Sequence, residues 1–449
     1  MTAGAIMDGR GQHIAVAVSG GGHRATLFAV GSLLYLVDAG KGPELATVSS
    51  VSGGSLANAH LALTCDLTTA EPDQVWREAK SITSRVAGKG TIWAAPLTYA
   101  FLGSLVLVLA AALWISFLVP APLVVLTWVV ALALVGLLAQ QRSWIAARSF
   151  DRALYHGKSL EDMHRSVDHV ICAADLQTAE AMFFSARFVH SFRLGWGKPG
   201  RLPVARAVQA SAALPGAFSV ASLPVARHGF AEPLPFTHMK LSDGGVYDNM
   251  ATEWPVRLAR RITEGTPPDP PLHVADELIV VNSSAAQGVV QRRSVRTPVL
   301  GEISTLLAVK DVLYDQTTAV RRRFLDLRFR AVRAGFTPPD GDLAGTMVQI
   351  DRSPFDIPER FQGDDAIAKR ASKALEQLEA LGGPNAKQDW ERVAKANRGV
   401  KTALSKIDTD RAVALVRHAY VLTMVNAFVL LDYPWHDVPD DATFRALMP

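Results

Sequence analysis

The sequence predicts an α/β domain with helices on both faces of its sheet, interrupted by a two-helix hydrophobic hairpin. Three observations predict this. Short apolar segments rich in Val and Ile alternate with segments of helical period. Glycine-rich stretches stand where the first two such strands pass into helices. Finally, the 52 residues from Gly90 to Gln141 include no Asp, Glu, Lys, Arg or His. The full chain of 449 residues is long enough for one large core or two domains.

The elements follow in order. His13 to Val18 reads as a buried strand, SGGG as a loop, and Arg24 to Ala39 as a helix with Leu27, Gly31, Leu34 and Asp38 in helical register, stopped at Gly40. The unit repeats, with Leu45 to Val51 as a strand and a helix from Gly53 through LANAHLALT. Val167 to Ala173 reads as a further strand, Arg206 to Leu214 as a helix ended by Pro215, and Leu278 to Asn282 as a buried strand. Asp326 to Phe336 alternates basic and apolar residues, which suits a half-exposed strand or helix face. Lys369 to Leu381 is an amphipathic helix ended by two glycines. Arg411 to Leu431 is long enough to span a bilayer, but Arg417 and His418 lie inside it, so a packed helix is expected. No internal repeat is visible.

The core of the uncharged run, Thr98 to Ala139, is long enough for two crossings of about 20 residues each. Pro120 and Pro122 stand where the chain must reverse. Arg85 and Lys89 precede the run; Arg142 and Arg148 follow it. A hairpin puts both basic flanks on one side, the cytoplasmic side by the positive-inside rule. A re-entrant hairpin and a helix pair buried in a soluble core are the alternatives. The expected division is 1–89 and 143–330 for the two parts of the interrupted α/β domain, 90–142 for the transmembrane hairpin, and 331–449 for a mostly helical extension. The start of the chain carries Asp8 and lacks a long apolar region before a small-residue cleavage site, so no secretory leader is expected.

Composition narrows the function. Lys and Arg number 46 against 42 Asp and Glu, a net +4 that suits an anionic surface but is too weak and dispersed for nucleic acid. Two cysteines, Cys65 and Cys172, exclude a disulfide scaffold and a clustered thiolate metal site. Three separated pieces carry the chemistry. Ser19-Gly20-Gly21-Gly22-His23-Arg24 opens a helix, where unshielded N–H groups and the positive helix end suit an oxyanion or a phosphate equally. It is not a P-loop, because no Gly-Lys-Ser/Thr follows. Ser50-Val51-Ser52-Gly53-Gly54 has the strand–serine–helix context of a nucleophile elbow, with Ser50 where G-x-S-x-G has its first glycine. Ser242-Asp243-Gly244-Gly245 offers an acid, although Asp-Gly is also a common turn. A triad would need a histidine after that acid; His273 and His418 are available by order, and neither has a distinguishing context.

Taken in this order, the three pieces resemble the patatin-like phospholipase family, with GGGxR, G-x-S-x-G and D-G-G/A. ASAALPGAF, Ala210 to Phe218, resembles the Ala-Ser…Pro…Phe segment such proteins carry before the acid. The resemblance covers about 14 to 250 once the hairpin is removed, and implies a three-layer α/β/α hydrolase domain. It further implies a Ser–Asp dyad without histidine, with Ser52 as nucleophile, Asp243 as base and Gly20, Gly21 and Gly22 as the oxyanion hole. Arg24 and Gly53 would position the loop or substrate. No metal or cofactor is implied. The expected function is a membrane-anchored lipid acyl hydrolase of the phospholipase A type acting on lipid esters, in the cell inner membrane with the catalytic domain cytoplasmic. A neutral-lipid esterase or acyltransferase with the same dyad, or a catalytically silent scaffold, are the alternatives.

Overall fold

The computed structural model describes residues 11–93, 95–230, 235–284, 298–337 and 343–449. The first ten residues, on which the leader reading partly rests, lie outside these. The chain opens with β1 (Ile14–Val18), α1 (Gly22–Asp38), β2 (Leu45–Val51), α2 (Gly53–Thr64) and α3 (Pro72–Gly88). The hydrophobic run forms α4 (Pro96–Ser116) and α5 (Ala121–Ala139), followed by α6 (Arg142–Phe150). Then come β3 (Asp168–Asp175), β4 (Glu180–Phe184), β5 (Val189–Ser191), β6 (Gly195–Gly197), α7 (Val204–Ser211), β7 (Ala221–Pro224) and β8 (His238–Asp243). The remainder is α8 (Gly245–Asp248), α9 (Glu253–Thr263), β9 (Glu277–Asn282), α10 (Pro298–Arg333), β10 (Ala344–Gln349), α11 (Ala366–Gly382), α12 (Ala386–Arg398), α13 (Thr409–Leu431) and α14 (Asp441–Arg445).

The sheet is mixed. Its order is β10-β9-β1-β2-β3-β4-β5-β6, with β8 also pairing β3 and β7 pairing β8. Strands β10, β9, β1, β2 and β3 run parallel, and β4, β5, β6 and β8 continue antiparallel. Period-2 alternation sends Ile14, Val16 and Val18 of β1 into one core and Ala15 and Ala17 into the other. The first core is closed by α1, α2, α3 and α13, the second by α9 and α10 through Trp254, Leu258, Leu325 and Phe329. Both faces are therefore covered, as the near-continuous apolar character of the parallel strands requires.

Asp326 to Arg333 is the end of the 36-residue α10, so of the two readings, strand or helix face, its alternation is the helix face. Two elements depart from the sequence reading. The chain from 331 onward is not set apart: β10 extends the sheet beside β9, and α13 packs along α1 in the first core. Its approach is close, since a side chain at Gly31 would collide with the Val416 carbonyl. Finally, α7 stops at Ser211, short of Leu214, because Ala212 and Ala213 turn there to meet β8.

The α4–α5 pair projects from this body. Thr98 and Ala112 of α4 and Ala131 of α5 are its buried residues, while Leu107, Trp114 and Phe117 are exposed. Its second foot, after α5, is fastened. Arg142 Nη1 donates to the carbonyls of Gly216 (3.1 Å) and Ala217 (3.3 Å), and Ser219 Oγ donates to the Gln140 carbonyl (2.8 Å).

Candidate active site

Strand β2 ends at Val51, and the chain turns at Ser52 with φ 52° and ψ −117° before α2 begins at Gly53. A non-glycine residue in that region stores about 1–3 kcal/mol of strain and needs its surroundings to hold it. They do so through hydrogen bonds. The Ser52 N–H donates to Ser211 Oγ (2.9 Å), and Ser211 Oγ donates in turn to the Cys172 carbonyl (2.6 Å). Ser50, where the elbow motif has glycine, is buried and satisfied. Its Oγ donates to the Val170 carbonyl (3.1 Å) and accepts from Ser55 Oγ (3.1 Å) and Asn58 Nδ2 (2.9 Å). A hydroxyl is tolerated there because β3 and α2 supply partners.

Asp243 is the last residue of β8, 2% exposed, and its Oδ1 accepts the Gly245 N–H at 2.8 Å. Its own N–H donates to the Ala213 carbonyl (3.0 Å), and the Gly244 N–H donates to the Ser211 carbonyl (3.1 Å). Residues 211–213 thus bind the backbones around both Ser52 and Asp243. That connection gives the Ala-Ser motif its role, which sequence reasoning left open.

The glycine loop lies between β1 and α1. Gly21 and Gly22 have φ of 145° and 61°, which a side chain would make costly. The Gly20 N–H donates to the Asn249 carbonyl at 2.9 Å, so it is committed to the fold. Among the described residues, the N–H groups of Gly21 and Gly22 have no acceptor. Of the three glycines expected to form an oxyanion hole, Gly20 thus has its N–H engaged, and Gly21 and Gly22 keep theirs available. Gly53 abuts this loop: any side chain on it would collide with the Gly22 carbonyl. It keeps elbow and loop in contact.

A cavity of about 930 Å³ joins these groups. Ser52, Asp243, Gly20, Gly21, Gly22 and Arg24 all line it. Among the described residues, no histidine does. His418 is buried in α13, where its ring nitrogens meet Asn397 Nδ2 (3.2 Å) and the Arg352 carbonyl (2.8 Å). Among the described residues no cluster of His, Cys, Asp and Glu suits a metal ion. Asp248 does not line the cavity; its carboxylate accepts the Met250 (3.0 Å) and Glu253 (2.6 Å) N–H groups and meets Arg321 Nε at 3.6 Å.

Two sets of cavity residues had no signal in the sequence. The first is the segment after α12. Arg24 Nη1 donates to the Val400 carbonyl (2.7 Å), the His23 N–H to the Ala403 carbonyl (2.9 Å), and His23 Nδ1 meets the Ser405 carbonyl (2.7 Å). This strap holds the glycine loop from almost 400 residues away in sequence. Arg24 therefore meets backbone carbonyls; burial lowers its pKa to about 10 and that of His23 to about 4. The second set is on α10, where Asp311, Tyr314 and Asp315 face the cavity. Burial, then the nearby Asp243 carboxylate, pushes the Tyr314 pKa up, so the phenol stays neutral.

The sequence profile of the patatin-like phospholipase family matches residues 16–254, more than half of the chain. The chain belongs to this family. It is a family of lipid acyl hydrolases, and the central mixed sheet with helices on both faces is its fold. No curated protein sequence matches the chain. Among solved structures, human GIVD cytosolic phospholipase A2 is similar at 12% identity with a TM-score of 0.46, over 98% of this chain and 60% of that one. The same human enzyme with methyl gamma-linolenyl fluorophosphonate and terbium chloride gives 13% identity and a TM-score of 0.37 over 98% and 60%. VipD from Legionella pneumophila gives 13% and 0.24, over 96% of this chain and 94% of that one. The chain thus spans 60% of the length of the human enzyme it resembles.

Proposed function

We propose that this member of the patatin-like family is a membrane-anchored serine lipid acyl hydrolase that cleaves carboxylic esters through a Ser52–Asp243 dyad. The observation that carries the reading is the shared cavity. A serine on a strained elbow, a buried carboxylate and two unengaged glycine N–H groups line one space. Asp243 accepts the Ser52 hydroxyl proton as Oγ attacks the ester carbonyl, and the N–H groups of Gly21 and Gly22 hold the oxyanion. The leaving alcohol takes the proton back from Asp243, and water activated by the same carboxylate releases the acid. Arg24 and Gly53 act one step removed, by fixing the loop that carries the donors.

The hairpin supports the anchoring half of the reading. At 1.5 Å per residue, α4 and α5 are about 31 and 28 Å long, close to the roughly 30 Å hydrocarbon core of a bilayer. Exposed aromatics flank both ends of the hairpin, Trp93 and Tyr99 in ring contact at 5.9 Å before it and Trp144 under Arg148 at 5.4 Å after it, where a membrane interface favours such residues. Ile92, at one foot, lines the cavity, as do Ala217 and Phe218 of the segment fastened to the other. A lipid leaving the bilayer at the hairpin's base therefore meets the cavity directly. The basic flanks orient this side, and the catalytic domain with it, to the cytoplasm.

The test is covalent labelling. A fluorophosphonate probe should label the wild-type protein and fail on Ser52→Ala, with folding unchanged. Asp243→Asn should lower ester hydrolysis by about 1000-fold or more, since it keeps the shape and removes the base. Labelling of Ser52→Ala, or turnover that depends on His273 or His418, would replace the dyad with another mechanism. Full extraction of the protein by alkaline carbonate would defeat the anchor.

A further inference from the structure

Helix α10 turns an apolar side outward. Its inner side is occupied: Leu325, Arg328 and Phe329 are buried, and Tyr314 lines the cavity. At 100° per residue, Leu306, Val309, Leu313, Val320, Phe324 and Leu327 fall within about 60° of arc on the outer side. These six are between 49% and 67% exposed. The six positions span 22 residues, about 32 Å of the helix, with one turn at Gln316 and Thr317 between the two apolar groups, and an exposed apolar stripe of that length marks an interaction site.

We propose that this face lies on the bilayer surface beside the hairpin, as an in-plane helix at the headgroup level. The inference rests on the membrane reading of the hairpin, and two observations choose a lipid surface as the occupant. The first is position. Asp311, Tyr314 and Asp315 of α10 line the same cavity as Ile92, Ala217 and Phe218 at the hairpin's feet. A bilayer entered by the hairpin covers that mouth and meets α10 next. The second is charge. Val320 to Arg333 holds Arg321, Arg322, Arg323, Arg328, Arg330 and Arg333 against Asp326, six cations to one anion. Arg321 is drawn inward to Glu253 at 2.7 Å and Arg328 is buried, but Arg323 and Arg330 border the stripe on the surface, where anionic headgroups would meet Arg323 and compete with Asp326, at 2.8 Å, for Arg330.

The natural cysteines, Cys65 and Cys172, are both buried, so a single introduced cysteine can carry an environment-sensitive fluorophore. The full-length protein is reconstituted in vesicles of equal parts phosphatidylcholine and phosphatidylglycerol, labelled at Leu313→Cys, Val320→Cys or, as a control on α12, Gln388→Cys. Blue-shifted emission quenched by brominated-acyl lipid is expected at 313 and 320 and absent at 388. Water-like emission at 313 and 320 in protein that still resists carbonate extraction would overturn this inference and leave the anchor standing. A blue shift without lipid quenching, together with concentration-dependent self-association, would overturn it in favour of a second copy of the chain. Leu313→Asp combined with Val320→Asp should lower turnover of vesicle phospholipid by about 10-fold and leave hydrolysis of a short soluble ester within about 2-fold. Unchanged vesicle turnover would also overturn the proposal.

Discussion

Helix α13 and the α4–α5 pair are alike in sequence and opposite in place. Each helix has an 18-residue window apolar enough to cross a membrane, with mean hydropathy 1.6 for α13 against 2.1 and 2.5 for the windows of α4 and of the helix beginning with α5. In the fold, 83% of the α13 window is buried inside the protein, against 11% and 6% for the other two. The polar residues explain the split. α13 carries His418, Thr423 and Asn426, and each finds a partner in the protein: His418 as above, Thr423 Oγ1 on Ser32 Oγ at 2.8 Å, and Asn426 Nδ2 on the Met347 carbonyl at 3.1 Å. Apart from Thr98 at the foot of α4, whose Oγ1 also meets Ser149 Oγ of α6 at 3.2 Å, the few hydroxyls within α4 and α5 bond back to their own helix, as Ser116 does to the Ala112 carbonyl at 2.7 Å. Such helices need nothing from the protein core. Mean hydropathy alone does not separate the buried α13 from the exposed α4 and α5; the demand of buried polar groups for partners does.

The largest expected effect is on α13. Ala419 is fully buried and lies under Gly31, so Ala419→Asp would bury an unpaired charge at a cost of about 4 kcal/mol or more. Loss of folded protein is expected on expression and in thermal unfolding, whereas Leu132→Ala, at a position 62% exposed in α5, should change soluble-domain stability by less than about 0.5 kcal/mol. Equal destabilisation would erase the distinction between the two regions. Next in size, replacing 96–139 by a short Gly/Ser linker should release the protein from membranes. Turnover of bilayer lipid should fall by about 100-fold, with hydrolysis of a soluble ester retained, because only delivery of the substrate is lost. Collapse of both activities would make the hairpin part of the catalytic fold.

Acid should act on the buried helix and spare the hairpin. Burial lowers the His418 pKa from 6.5 to about 4, so the ring stays neutral in the folded chain while the unfolded chain takes up a proton. Its contribution is full above pH 6.5 and is lost as pH falls toward 4, with a slope of about 1.4 kcal/mol per pH unit. His23 and His60, lowered to about 4, have the same sign. Chemical denaturation across this window should show falling stability, a shallower fall for His418→Gln, and the same curve with the hairpin removed. The smallest effect is Thr423→Val, which removes the bond to Ser32 and should cost about 1 kcal/mol in the same assay.

Local pattern was enough for much of the molecule. The strand Leu45–Val51, the turn at Ser52 and the helix from Gly53 agree with the sequence reading to the residue, because a short apolar strand, small residues and a helical period are all encoded within neighbours. The hairpin's two helices were legible for the same reason. Its exposed side, and the burial of α13, were not in hydropathy, although Arg417 and His418 pointed the right way. Arg417 indeed finds Asp441 at 3.2 Å and the Trp390 ring at 5.1 Å.

What only the tertiary structure decided is which separate pieces share a partner. Gly20 loses its N–H to Asn249, Ser211 binds the Ser52 backbone, and the strap from Val400 to Ser405 fastens the loop at His23 and Arg24. Tyr314 reaches the cavity from a helix whose alternating residues did not distinguish strand from helix in the sequence. Motif spacing named the atoms at the candidate site, since a serine in a glycine turn is a local event. The support around them comes from hydrogen bonds spanning more than 150 and up to nearly 400 residues, and backbone N–H and carbonyl groups look the same at every position until the fold brings them together.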